Sequence, residues 1–224
     1  MNNRIIKDSY DIFMNKFNIN EDDFIEYGLN ESIFINKLEA EKRWNILKKD
    51  IKDGNMVYVR TFGNKNDQRT KKILLDFYKH IYSDVEVNVD KTNNAIPTKI
   101  IEEFTGLKRK TSQRKKYDIS NYQISHIFGK TKNIYAFSAP WNLVFMPRIM
   151  DPLSGHEANG NLRNKFKQAL QEKSYMLFKD LIDDFNEFMN EETLKNSINM
   201  YLDEIDEKKF KTEIIDNFAP INIK

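Results

Sequence analysis

The chain of 224 residues carries 36 Lys and Arg against 34 Asp and Glu, a formal net charge of +2, and is 40% hydrophobic and 31% charged. It is long enough to bury a core as one ordinary domain or two small ones, and too apolar for an intrinsically disordered chain. With no Cys, disulfides, thiolate zinc sites and a Cys nucleophile are excluded, and no apolar run reaches the roughly 18 residues that a membrane span needs.

The amino-terminal residues lead into charged helical sequence rather than an apolar signal segment, which predicts a cytoplasmic protein with no membrane attachment. Ile33, Leu38, Trp44, Leu47 and Ile51 then fall on one helical face until Gly54 ends the pattern. Residues 56–60 read as a strand, and Asp67 suits the cap of a helix over 67–82, on which His80 reads as structural. Val85, Val87 and Val89 alternate with Glu86 and Asn88, the pattern of a second strand. Pro97 and Gly106 suit the start and end of a short helix, which reads either as a surface helix or as one that carries cations toward DNA.

Directly after it, Lys108, Arg109, Lys110, Arg114, Lys115 and Lys116 place six cations in nine residues, dense enough to neutralise several backbone phosphates. The run reads equally as a solvated linker, and the two readings are compatible. Charge is divided along the chain: residues 171–216 hold 13 Asp or Glu against 6 Lys or Arg, a net of −7, which leaves +9 on the rest. The basic part is where a polyphosphate would bind.

Tyr122 to Ile127 reads as a strand ending in His126, residues 129–139 as a loop, and 141–147 as a returning strand that Asn142 opens. Asp151 and Pro152 suit the start of a short helical turn carrying His156, closed by Gly160. Leu162, Phe166, Leu170, Leu177, Leu181, Phe185 and Phe188 describe one long amphipathic helix. A second follows, capped by Asn190, with Leu194, Ile198, Leu202 and Ile205 inward. Their acidic outer faces are expected to point away from DNA, and they either support the core or pair two subunits.

Strand, loop, strand and helix carrying His126, Asn142 and His156 in that order, 16 and 14 residues apart, resemble the HNH or ββα-metal nuclease motif over about residues 118–166. The resemblance implies an α+β fold. Residues 117–224 would form a ββα-metal nuclease core with carboxy-terminal helices, and residues 1–116 a mixed α/β part for DNA recognition. In that family the first His deprotonates water, the Asn holds the loop that orients it, and the third residue binds a divalent metal. His126 and Asn142 would therefore be catalytic and His156 a metal ligand. The family places Asp before the first His, where this chain has Ser125. Ser125 and Glu157 complete the expected ligand set, with Asp151 and Asn159 the nearest further oxygen donors, and Arg148 joins the basic run as a phosphate clamp or as a partner for a core carboxylate.

The chemistry needs such residues. Cleaving an anionic phosphodiester requires a base of near-neutral pKa and a cation that offsets charge on the leaving oxygen. One Mg²⁺ per site is expected, with Mn²⁺ or Ni²⁺ open because imidazole accepts softer ions. Within this class the size and the absent CxxC resemble a sequence-specific type II restriction enzyme, a homodimer on double-stranded DNA whose system would include a methyltransferase. The alternatives are a non-catalytic DNA-binding regulator and a non-specific nuclease toxin or anti-phage effector.

Overall fold

The computed structural model describes residues 7–63, 67–155 and 157–223, and its architecture is mixed α and β. The amino-terminal half begins with α1 (Ser9–Phe17) and α2 (Glu21–Glu31), opened by side-chain caps from Asp8 and Asn20. β1 (Ile33–Phe34) leads into α3 (Lys37–Lys52), capped by Asn36. A parallel unit follows: β2 (Val57–Val59), α4 (Gln68–Ile81) and β3 (Val87–Val89), with Val57, Tyr58 and Val59 beside Val87, Asn88 and Val89. α5 (Ala95–Thr105) leaves the carboxyl end of β3, and Gly106, at φ +73°, takes the left-handed conformation that stops it.

The second half holds the antiparallel pair β4 (Tyr122–His126) and β5 (Leu143–Pro147), in a register that sets His126 opposite Leu143 and Tyr122 opposite Pro147. β1 pairs with the far edge of β5, giving the order β1-β5-β4. Then come α6 (Asp151–Ser154), the long α7 (Asn161–Asn190), α8 (Glu192–Glu204) and α9 (Lys208–Phe218). None of the described helices is long and apolar enough to cross a membrane.

β5 explains the layering. Leu143 and Phe145 belong to a large core with Trp44, Trp141 and Phe185, whereas Val144 and Met146 belong to a second core with Phe24, Met150 and Phe166. Alternate side chains of a strand point to opposite faces, so a strand covered on both faces is apolar throughout, as Leu-Val-Phe-Met-Pro is. α7 serves both cores in turn. Its first half inserts Leu162, Phe166 and Leu170 into the smaller one, and beyond the non-helical Phe178 (φ −129°, ψ 27°) it feeds Leu181, Ile182 and Phe185 into the larger.

Several expectations change. Phe178 turns inward at the kink in α7 and Leu177, expected on the apolar face, is exposed. Ile33 lies on β1 and Leu38 is exposed, so they share no buried helical face with Trp44. Asp151 is inside α6, which stops at Ser154, and Gly160 opens α7 rather than closing α6. Asn190 ends α7, and Glu191 stands at the cap of α8. The larger core draws on residues before and after position 116, so packing is continuous where a domain boundary was expected.

Gly28 marks how tightly α2 meets α7. A Cβ there would come within 2.3 Å of Met150 Cε and 2.6 Å of Phe166 Cε2. Gly28→Ala is therefore expected to destabilise by about 1–3 kcal/mol, although helix propensity alone favours Ala by about 1 kcal/mol. A denaturant midpoint that rises in the variant would refute this packing.

Candidate active site

His126 ends β4 and lines a cleft of about 550 Å³ shared with Arg60, Ser125, Asp151 and Glu157. Its Nε2 lies 3.0 Å from the Phe137 carbonyl, and the Phe137 ring stacks on the imidazole at 5.5 Å. A carbonyl only accepts, so the facing nitrogen carries the hydrogen and Nδ1 holds the lone pair a base needs. Burial first, then the Arg60 charge, push this imidazole down to about 4, while the Phe137 carbonyl and Asp90 pull upward.

Asn142 fixes the loop that carries Phe137. Its side chain is fully buried; Oδ1 accepts from Phe128 N at 2.8 Å, and Nδ2 donates to Gly129 O at 2.8 Å and Ala136 O at 2.9 Å. The backbone adds a bond from Ile127 N to Asn142 O. Asn142 ends a short 3-10 turn, Pro140–Asn142, so β5 opens one residue later than expected. A second asparagine braces the loop from behind: Asn133 bonds Tyr135 N and the Asn217 carbonyl, while Asn217 Oδ1 accepts from Lys132 N at 2.7 Å. Lys130 donates to carbonyls of Asp216 and Ala219, and burial lowers its pKa to about 8. The carboxy-terminal α9, which the periodicity did not reveal, thus holds the floor of the cleft.

The opposite wall comes from the amino-terminal half. Arg60 and Asp90 each follow a strand of the parallel pair, at the carboxyl edge where ligands bind in α/β units. Asp90 is spent on the start of α5, accepting from Ala95 N and Ile96 N. Arg60 N donates to Thr131 O at 2.8 Å, Nη2 reaches Asn94 Oδ1 at 3.3 Å, and its buried Nε has no partner. Burial lowers the guanidinium pKa, against Asp90 and Glu157. Arg60 and Asn94 went unmarked in the sequence; the polar residue closing each valine-rich strand was the available signal.

The expected metal ligands are distributed as follows. His156 lies outside the described residues. Ser125 Oγ is 2.7 Å from Ser154 Oγ, whose own hydrogen goes to Asp151 O, so Ser125 donates. Glu157 Oε2 is so close over Gly155 that a Cβ there would meet it at 2.2 Å, and Arg163 clamps the Gly155 carbonyl through Nε and Nη2. Burial, then Glu157, raise the Asp151 carboxyl, which Arg148 opposes. No three His, Asp or Glu converge among the described residues. The donors present, two carboxylates and a hydroxyl, are all oxygen and suit a hard cation such as Mg²⁺ better than a soft one.

In the basic run, Lys108, Lys110, Lys115 and Lys116 are exposed, whereas two arginines are tied to the protein. Arg114 forks onto Glu102 at 2.6 and 2.9 Å, and Arg109 Nη1 reaches Tyr122 O and Gln123 Oε1. Arg148 is exposed.

The chain belongs to the family described as uncharacterised protein PM1201, whose model matches residues 35–223. A relative of the same description from Pasteurella multocida (strain Pm70) is 40% identical over 198 residues, covering 87% of this chain and 86% of its own. No solved structure matches the chain. Arg60, His126, Asn142 and Asn217 all lie within the matched span.

Asn142→Ala would strand one donor and two acceptors in the interior, an expected loss of about 3 kcal/mol or more, measured by denaturant unfolding; a loss below about 1 kcal/mol would mean that the loop holds without it. A second expectation concerns pH. The folded imidazole takes its proton near 4 and the unfolded one near 6.5, so the unfolded chain binds more protons between those values and stability falls as pH drops through the window. At about pH 5 the His126 share of that loss is about 2 kcal/mol. His126→Gln should flatten the stability curve by that amount, and equal slopes for variant and wild type would overturn the buried neutral imidazole.

Proposed function

We propose that this protein is a metal-dependent DNA endonuclease of the HNH type that hydrolyses phosphodiester bonds with His126 as the base. The observation that carries the reading is the Asn142 side chain, which ties both ends of the loop behind a strand-terminal histidine. Its backbone hold orients Phe137 O, and that carbonyl in turn fixes the tautomer with Nδ1 unprotonated.

The residues divide the work. His126 takes the proton from the attacking water, and Phe137 O steadies the imidazolium that results. Arg60 supplies a fixed positive charge facing the same cleft, suited to a phosphate oxygen. An anionic phosphate beside the ring offsets the Arg60 field and returns the imidazole toward the neutral range where a base works best. Asp151, Glu157 and Ser125 would hold one divalent cation, whose chemistry is to neutralise charge on the leaving oxygen. His156 is proposed to join them. We read the strand, loop, strand and helix over residues 122–190, in which α6 and α7 follow β5, as the ββα arrangement.

Within this class we infer a sequence-specific restriction enzyme acting as a homodimer on duplex DNA, in the cytoplasm, alongside a protecting methyltransferase. Plasmid DNA incubated with purified protein and Mg²⁺ or Mn²⁺ should give discrete fragments. His126→Ala should bind the same DNA and cut it at least about a hundredfold more slowly. Cutting by that variant at the wild-type rate removes the assigned base, a smear indicates a non-specific nuclease, and intact plasmid under every ion removes the enzymatic reading.

A further inference from the structure

Resting on the reading above, we propose that a hollow at the far end of the β4–β5 pair, between Lys110 and Arg148, is a backbone-phosphate subsite. From it a DNA strand runs along β4 to the His126 cleft, which makes the substrate a polymer rather than a single nucleotide. The hollow, of about 240 Å³, is lined by Lys110, Thr111, Ser112, Asn121, Tyr122 and Arg148, with the Tyr122 hydroxyl bonded to Glu31 at 3.5 Å. Two cations beside the Thr111 and Ser112 hydroxyls suit a phosphate. Arg148 is held at its edge by the bond from its backbone N to Asn121 O at 2.9 Å. Lys110 Nζ lies 5.0 Å above the Tyr117 ring, which stations the ammonium at the rim.

Arg109 joins the two sites. Its Nη1 donates to Gln123 Oε1 at 3.1 Å, and Gln123 itself lines the His126 cleft. Its buried Nε has no partner. Glu102 is the nearby acid and is already forked by Arg114, while Arg148 and Arg114 crowd Arg109 with like charge. Like charges gathered at one edge favour an anion between them. Arg148 acts on Asp151 of the cleft as well as on Arg109, so its charge is felt at both places.

The length of the track follows from the strand. Tyr122 to His126 spans four residue steps, about 13 Å, or about four base-pair rises of duplex DNA. A mononucleotide cannot bridge that distance.

The test uses the full chain in EDTA, so that nothing is cut, with a fluorescein-labelled duplex of about 20 base pairs and anisotropy read from about 50 to 200 mM salt. Each phosphate contact contributes about 0.9 to the slope of log K against log salt. Lys110→Ala/Arg148→Ala should therefore lower the slope by about 2 and weaken binding at least tenfold at the lowest salt. A control with the same charge loss, Lys208→Ala/Lys209→Ala on α9, should keep the wild-type slope. Thermal midpoints within about 2 °C would show that both pairs still fold. A double variant with the slope of the control overturns the subsite. A lowered slope in a protein that cuts no plasmid under any metal keeps the track and removes the nuclease.

Discussion

The structure around the cleft depends on one buried amide. Asn142 makes three side-chain bonds to a loop whose residues have no sheet to satisfy them, and it ends the turn that leads into β5. A residue that both precedes a strand directly and closes the loop before it fixes the distance between the two. Buried polar groups leave no slack in such an arrangement, because each unmet partner carries its full desolvation cost. The placement of Phe137 O against the imidazole follows from this, and so does the ring's tautomer. Asn133 repeats the device one layer deeper, coupling the loop to Asn217 at the end of the chain.

The cleft is composite. Its floor belongs to β4, the loop after it and α9, but Arg60, its cationic wall, belongs to the parallel unit of β2 and β3, contributed from more than sixty positions before His126. The bond from Arg60 N to Thr131 O welds the two together. Packing gives the same picture: Trp44 of α3 meets Trp141 at 6.0 Å, beside the turn that delivers Asn142. A change in the amino-terminal core therefore reaches the imidazole through few contacts, and separating the halves at 116 would remove Arg60 from the site along with 13 of the 33 buried residues described in the larger core.

What the sequence disclosed follows from how local each signal is. Strand-terminal His126, loop-closing Asn142 and the alternation in β3 were legible, because period and turn chemistry act over a few residues. The apolar run in β5 was read as a strand, yet its burial on two faces was invisible until β1 and α2 closed over it. Leu177 was misplaced because the kink at Phe178 shifts the helical face, and nothing in the spacing marks where a helix loses its register. Arg60 was missed for a different reason. A lone arginine after a short strand acquires meaning only when the parallel pairing brings the carboxyl ends of β2 and β3 to the loop behind His126.

Charge in the cleft is out of balance, and the imbalance has a direction. Burial, then the Arg60 charge, hold the imidazole neutral, burial and Glu157 raise the Asp151 carboxyl, and Arg60 Nε is buried with no acceptor among the described residues. Folding alone gains nothing from such an arrangement; apolar residues of similar size would be cheaper to bury. A bound phosphate would offset the Arg60 charge and let the imidazole take a proton, while a cation would relieve Asp151. Each of the two would strengthen the other's binding, since each shields the charge the other must approach. On the proposed reading, binding of an anionic backbone and of a divalent ion would therefore be coupled.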